Sequence, residues 1–192
     1  MRIIAGSKRG MKLLSPKSDV SRPITDRVKE SLFSVLYKYD LPAGKIVADL
    51  FCGVGSLGLE ALSRGAEFVT FVEKDRRIVG TLKKNIEKAG FVKDSRIVTA
   101  DAFSIGGGVD SQGRRYDLAF VDPPYMLTRD VESDSALGGL MVILGEQLSD
   151  EGIVVVRTER RTELLEQYGR FEIMERRQWG TMAVNIFRKM SG

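Results

Sequence analysis

From Lys45 onward, short unbroken apolar runs alternate with stretches in which apolar residues recur every third or fourth position. Ile46 to Leu50, Phe68 to Val72, Arg96 to Thr99, Tyr116 to Val121 and Gly152 to Arg157 read as strands. A strand covered on both faces needs no polar alternation, so the unbroken runs among them point to a parallel sheet. Leu57 to Arg64, stopped by Gly65, and Arg76 to Ala89, stopped by Gly90, read as helices. Val131 to Leu148 is expected to be mostly helical despite Gly138-Gly139, and Arg161 to Tyr168 to form a short helix. Arg170 to Arg176 and Thr181 to Lys189 look like an antiparallel edge hairpin about Trp179-Gly180. Alternation in this order predicts a doubly wound α/β fold, with seven mostly parallel strands and an antiparallel C-terminal hairpin.

Ahead of Lys45 the pattern differs. Arg2 to Gly6 and Met11 to Ser15 are two strand-like pieces joined by a basic turn, Ser7-Lys-Arg-Gly10. Val28, Leu32, Val35 and Leu36 place an apolar stripe on a helix entered through Ser21-Arg-Pro-Ile-Thr-Asp-Arg27 and ending near Leu41-Pro-Ala-Gly44. Residues 1–44 thus read as an extension carried by a core of residues 45–192 within one domain. The glycine-rich stretch Ile105 to Arg115 reads as a flexible loop.

Composition narrows the chemistry. The chain has no histidine and a single cysteine, Cys52. Intramolecular disulfides, a cysteine zinc site, Ser-His-Asp catalysis and most catalytic metal sites are therefore excluded, and no metal is expected. Carboxylates, backbone groups and a cofactor must do the work. Residues 1–40 hold nine Lys or Arg against four Asp or Glu, so of the total net charge of +4 the remaining 152 residues carry −1. A basic arm on a near-neutral body points to a polyanion at that end. No long uncharged apolar run exists and Met1-Arg-Ile-Ile-Ala-Gly is too short and polar for a signal peptide, so a soluble cytoplasmic monomer is expected.

Tyr116-Asp-Leu-Ala-Phe-Val121 ends abruptly in Asp122-Pro-Pro-Tyr125, which places that tetrapeptide at a strand's carboxyl end, where open α/β sheets bind ligands. Two prolines offer no N–H and stiffen the backbone. An acid, a rigid carbonyl and an aromatic ring on one turn suit a flat group bearing an NH2: Asp122 and the Pro123 carbonyl accept its hydrogens, and Tyr125 stacks on its face. By itself the tetrapeptide is equally well read as a turn.

A second motif shifts the balance. Asp49-Leu-Phe-Cys-Gly-Val-Gly-Ser-Leu-Gly58 is a strand end, a glycine turn and a helix start, with Gly53, Gly55 and Gly58 in G-x-G-x-x-G spacing. Glu73, 24 residues after Asp49, ends the next strand and is placed to hold a ribose diol. A dinucleotide pyrophosphate would be repelled by Asp49 just ahead of the glycines. S-adenosylmethionine, with a sulfonium and an ammonium, suits an acid-rich pocket instead. Asp49 and the adjacent backbone then take the methionine end, Glu73 the ribose, and Asp101-Ala102-Phe103 the adenine, with Phe51 and Lys74 beside them. A base amine is a poor nucleophile because its lone pair is delocalised, so positioning by Asp122 and Pro123 beside a methyl donor gives the tetrapeptide a purpose. Cys52 lies in the cofactor loop, where a small buried hydrophobe is its usual role.

Four stretches resemble the RsmD-like methyltransferases, a family that methylates the N2 amine of a guanine in small-subunit ribosomal RNA. They are Arg2-Ile-Ile-Ala-Gly with Arg9-Gly10, Arg22 to Phe33, Asp49 to Ala66, and Asp122-Pro-Pro-Tyr125. The resemblance implies a class I methyltransferase with a Rossmann-like sheet, in which Asp122, Pro123 and Tyr125 hold the guanine. It also implies that Asp49, Gly53, Gly55, Glu73 and Asp101 line the cofactor site, and that Arg22, Thr25 and Arg27 line the RNA entrance. Arg2, Lys8, Arg9 and Lys12 are further candidates for phosphate contact. Ribosomal RNA or an assembling small subunit is the expected partner, since 192 residues leave no room for a separate DNA-reading domain. An N6-adenine methyltransferase acting on DNA or RNA, and a non-catalytic RNA-binding module with a vestigial cofactor fold, stay open as alternatives.

Overall fold

The computed structural model describes residues 1–15, 24–108 and 113–191. Its eight strands form one sheet in the order β3-β2-β1-β4-β5-β8-β7-β6. The strands are β1 (Ile46–Leu50), β2 (Phe68–Val72), β3 (Ser95–Val98), β4 (Tyr116–Val121), β5 (Leu148–Glu159), β6 (Gln167–Tyr168), β7 (Phe171–Trp179) and β8 (Met182–Lys189). Pairings among β1 to β5 are parallel, and β8, β7 and β6 add antiparallel. The doubly wound Rossmann-like sheet with its C-terminal hairpin is therefore present. The order reverses between β1 and β4, and ligands bind at such switch points in open α/β sheets.

Among the described residues five α-helices, α1 (Asp26–Leu36), α2 (Ser56–Ser63), α3 (Arg76–Ala89), α4 (Ala102–Ile105) and α5 (Ala136–Gln147), cover the two faces. On one face α1, α2 and α3 pack on Val47, Phe71, Leu118, Phe120 and Val155. On the other, α5 and α4 pack on Ala48, Ala119, Val154 and Phe187. Val47 to Leu50 are wholly buried, which explains why this strand shows no polar alternation.

Three expectations are corrected. Residues 161–168 form no helix: Leu164 and Tyr168 are buried in the second core, and the Tyr168 hydroxyl donates to the Val131 carbonyl. Apolar residues four apart mimic a helix period, but tertiary contacts hold this segment as a strap that ends in β6, the strand beyond the seven expected. Val131 to Ser135 lie outside α5, because the Ser135 hydroxyl accepts from Gly138 N (3.2 Å) and starts the helix there. Leu148 belongs to β5, which runs from there to Glu159.

The N-terminal arm is a hairpin with one antiparallel bridge, Arg2 to Lys12, and Ile3 N donates to the Met11 carbonyl (2.9 Å). It is fastened to α2 and α3 by groups that the hydrophobic pattern does not display. Glu60 of α2 is 0% exposed and accepts from Ile4 N (2.7 Å), Ala5 N (3.0 Å) and Arg64 Nε (2.8 Å). Lys29 of α1, 1% exposed, lies 3.3 Å from Glu60 and donates to the Arg2 carbonyl at 2.7 Å. Burial lowers the Lys29 pKa, and Glu60 acts against that loss. Gly6 runs so close to α2 that a Cβ there would lie 1.7 Å from the Ser63 carbonyl oxygen. Asn85 of α3 completes the attachment by accepting from Leu14 N and donating to the Leu14 carbonyl.

Candidate active site

The carboxyl ends of β1, β2 and β4 bring the candidate residues together. After β1 the chain turns through Phe51, whose φ of 57° is unusual for a residue with a side chain, into the glycine loop and α2. Gly58 is required by packing: a Cβ there would sit 2.3 Å from the Phe71 ring and 2.9 Å from Asp49 Oδ2. Asp49 is 1% exposed and lies under the loop, with Oδ2 accepting from Gly58 N at 2.8 Å. Burial pushes its pKa up to about 8, and the Asp122 and Glu73 carboxylates push the same way.

Glu73, at the end of β2, links two backbones: Oε2 accepts from Gly53 N (3.1 Å) and Oε1 from Asp75 N (2.9 Å). Asp101 caps α4 by accepting from Phe103 N at 3.1 Å, and its other oxygen lies 3.5 Å from Lys74 Nζ. Phe103 and Phe51 form a tilted aromatic pair, centroids 4.8 Å apart. Ala102 between them is buried. Cys52 is buried, and burial raises its thiol pKa well above the ordinary value, so it is no thiolate nucleophile at neutral pH.

Asp122 leaves β4 beside β1, its N–H donating to the Leu50 carbonyl at 3.4 Å. Its carboxylate meets Arg157 of β5, whose Nε donates to Oδ1, and the Arg157 guanidinium lies 6.0 Å from the centroid of the Tyr125 ring. One cation thus touches both the acid and the ring of the tetrapeptide. Burial raises the Asp122 pKa, while Arg157 lowers it by charge and by hydrogen bond. Sequence reasoning missed Arg157. The signal available was its place at the carboxyl end of a strand neighbouring the tetrapeptide's strand. A 3-10 turn, Tyr125–Thr128, follows, with Met126 73% exposed at the rim.

The expected phosphate-contact residues divide into groups. Arg9 and Lys12 are exposed on the arm, while Lys8 turns its ammonium 5.8 Å from the Phe91 ring centroid. Arg2 pairs with Asp26 at 2.8 Å. Thr25 uses its hydroxyl to cap α1, accepting from Val28 N, and Arg27 is exposed two residues on. Arg22 lies outside the described residues.

A family model described as conserved hypothetical protein 95 matches residues 1–188. Ribosomal RNA small subunit methyltransferase D of Escherichia coli is 34% identical over 191 residues, covering 98% of this chain and 90% of the relative. The chain belongs to this RsmD family. Another relative of similar length, YlbH of Bacillus subtilis, is 32% identical over 98% of this chain and 99% of its own. The solved structure of yhhF from Escherichia coli matches with a TM-score of 0.81 and 31% identity, covering 100% of this chain and 99% of that one. This RsmD-family protein is accordingly an enzyme of the methyltransferase class.

The site suits the cofactor of that class on chemical grounds. Asp49, Asp122 and Glu73 give one edge of the sheet an acid-rich lining, which offers a pyrophosphate no counter-charge and can ionise against a sulfonium and an ammonium. Glu73 offers acceptors for a ribose diol, and Asp101 with Phe51 and Phe103 offers an acceptor and ring faces for adenine.

Proposed function

We propose that this enzyme transfers the methyl group of S-adenosylmethionine to the exocyclic N2 amine of a guanine in small-subunit ribosomal RNA. The observation that carries the reading is the convergence of Asp122, Tyr125 and Arg157 beside the glycine loop. The bound cofactor supplies an electrophilic methyl group. Glu73 holds its ribose, Asp101 and the Phe51–Phe103 pair its adenine, and the acidic edge its cationic end.

Asp122 and the Pro123 carbonyl accept the two N–H groups of the amine, and Tyr125 fixes the plane of the flipped base. Arg157 works against the upward shift that burial gives the Asp122 pKa, and its Nε fixes one oxygen of the carboxylate. A carboxylate has about four acceptor positions, so pairing with Arg157 leaves capacity for the amine. As the carbon–nitrogen bond forms and the carbon–sulfur bond breaks, the amine's surplus proton leaves to Asp122 or solvent. Catalysis is by positioning and electrostatics.

The test is transfer of labelled methyl to small-subunit RNA or a partly assembled subunit, followed by mass spectrometry of nucleoside digests. Label on guanine N2 is expected. Label on adenine N6 would overturn the assignment of the base, and absence of transfer the assignment of the substrate.

A further inference from the structure

Strands β5, β8 and β7 outgrow the catalytic edge of the sheet. β4 ends at Val121, whose partner on β5 is Val156, so Arg157, Thr158 and Glu159 run past that edge and pair only with β8. There β8 pairs with the end of β7, placing Arg177 opposite Val184 and Trp179 opposite Met182. The result is a three-stranded wing whose root, Arg157, touches Asp122 and Tyr125.

The charges on this wing are unevenly compensated. Arg157 is paired with Asp122 and Arg177 with Glu175. Arg160 donates from Nε to the Gln178 amide oxygen (3.1 Å), and Arg176 donates from Nη2 to the carbonyls of Thr162 (2.7 Å) and Arg160 (3.4 Å). These acceptors are neutral, so they fix the guanidinium groups without cancelling their charge. Arg160 and Arg161 are exposed, and Trp179 is half-buried against the first core at the tip. Arg176 also ties residues 160–162 to β7, which makes the surface preformed.

We infer that the exposed end of the β5–β8–β7 wing, through Arg160, Arg161 and Arg176 with Trp179 at its tip, binds the RNA strand flanking the target nucleotide. The inference rests on the RNA substrate assigned above. Strand rise sets Arg160 on the order of 10 Å beyond Arg157, which suits backbone phosphates of nucleotides next to the flipped base. Fixed guanidinium forks recognise phosphate oxygens, and a strand-end indole offers a stacking face. RNA would then be held from two sides, by the arm and by the wing, with the base entering between them.

The test uses full-length protein carrying Arg160→Gln and Arg161→Gln, two exposed positions where the fold is not at stake. Arg176→Lys, which retains the charge but not the fork, serves as a second variant. Binding of a small-subunit RNA transcript is followed across a salt series, with the KM for RNA, kcat and cofactor affinity measured alongside. The double variant is expected to raise the KM for RNA at least about fivefold and to flatten the log–log salt slope by roughly 0.7–0.9 per lost phosphate contact. Cofactor affinity and kcat stay unchanged, and Arg176→Lys shows a smaller rise in KM. An unchanged KM and salt slope in an active enzyme would overturn the wing's role and leave the proposed function intact. A wild-type enzyme that neither binds nor methylates the RNA would overturn both. A loss seen only on assembled particles, with affinity for naked RNA retained, would assign the surface to a ribosomal protein and also overturn it.

Discussion

Asp49 is a carboxyl group that burial holds partly protonated near neutral pH, with a pKa pushed up to about 8. Because this lies above the ordinary 3.8, its contribution to stability is fully present below about pH 4 and is lost as pH rises through about 8. Cofactor binding has the opposite sign. An arriving ammonium or sulfonium favours the ionised form, so binding releases a proton wherever the free enzyme holds Asp49 protonated. Cofactor affinity should therefore rise between about pH 6 and pH 7.5, and the binding heat should vary with the ionisation enthalpy of the buffer. Flat affinity without proton release would contradict this coupling. The acidic and glycine positions of the site were legible in the sequence because two motifs carry them at fixed spacing. Arg157 was not, since an arginine ending an apolar strand is indistinguishable from a solvated terminus until β4 and β5 are known to be neighbours.

Among the elements, α1 and the arm meet the helix that follows the glycine loop through buried charge set within an apolar seam. Lys29 donates both to the arm's Arg2 carbonyl and to the Ser56 carbonyl (3.4 Å), where α2 begins. Glu60→Gln leaves Lys29 buried beside an uncharged partner and Arg64 with Glu30 alone, and a loss of about 3–5 kcal/mol is expected from urea unfolding. Replacing Lys29 and Glu60 together with Met and Leu should cost less than the two single losses added. Full stability of Glu60→Gln would show that the cluster does not fasten the arm. Hydrophobic period located four elements with unchanged bounds, β1, β2, α3 and β4, and the inner stripe of α1, whose α-helix ends at Leu36 rather than near Leu41. It failed at residues 161–168, where Leu164 and Tyr168 answer to the second core and to Val131 rather than to a helix axis. It was also silent on Glu60 and Lys29, because nothing in a linear sequence separates a buried charge from a solvated one.

At the scale of the molecule, the sheet carries the glycine loop and the Asp122–Tyr125 turn on either side of one strand junction, β1 with β4. The open end of the arm flanks the loop, its basic tip reaches Ser63 and Phe91 where α2 and α3 end, and the C-terminal wing flanks Asp122. On the reading proposed above, the arm and the wing share the grip on RNA. The account stands on Asp122 acting on the base rather than on the fold or the cofactor. Single-turnover methyl transfer by Asp122→Ala, with cofactor affinity and thermal stability measured on the same sample, tests this most directly. With cofactor saturating and the protein folded, the rate should fall at least about a hundredfold, the scale of losing one preorganised electrostatic partner, beyond whatever the loss of Arg157's partner costs in stability or affinity. Near-normal turnover in that variant would contradict the account.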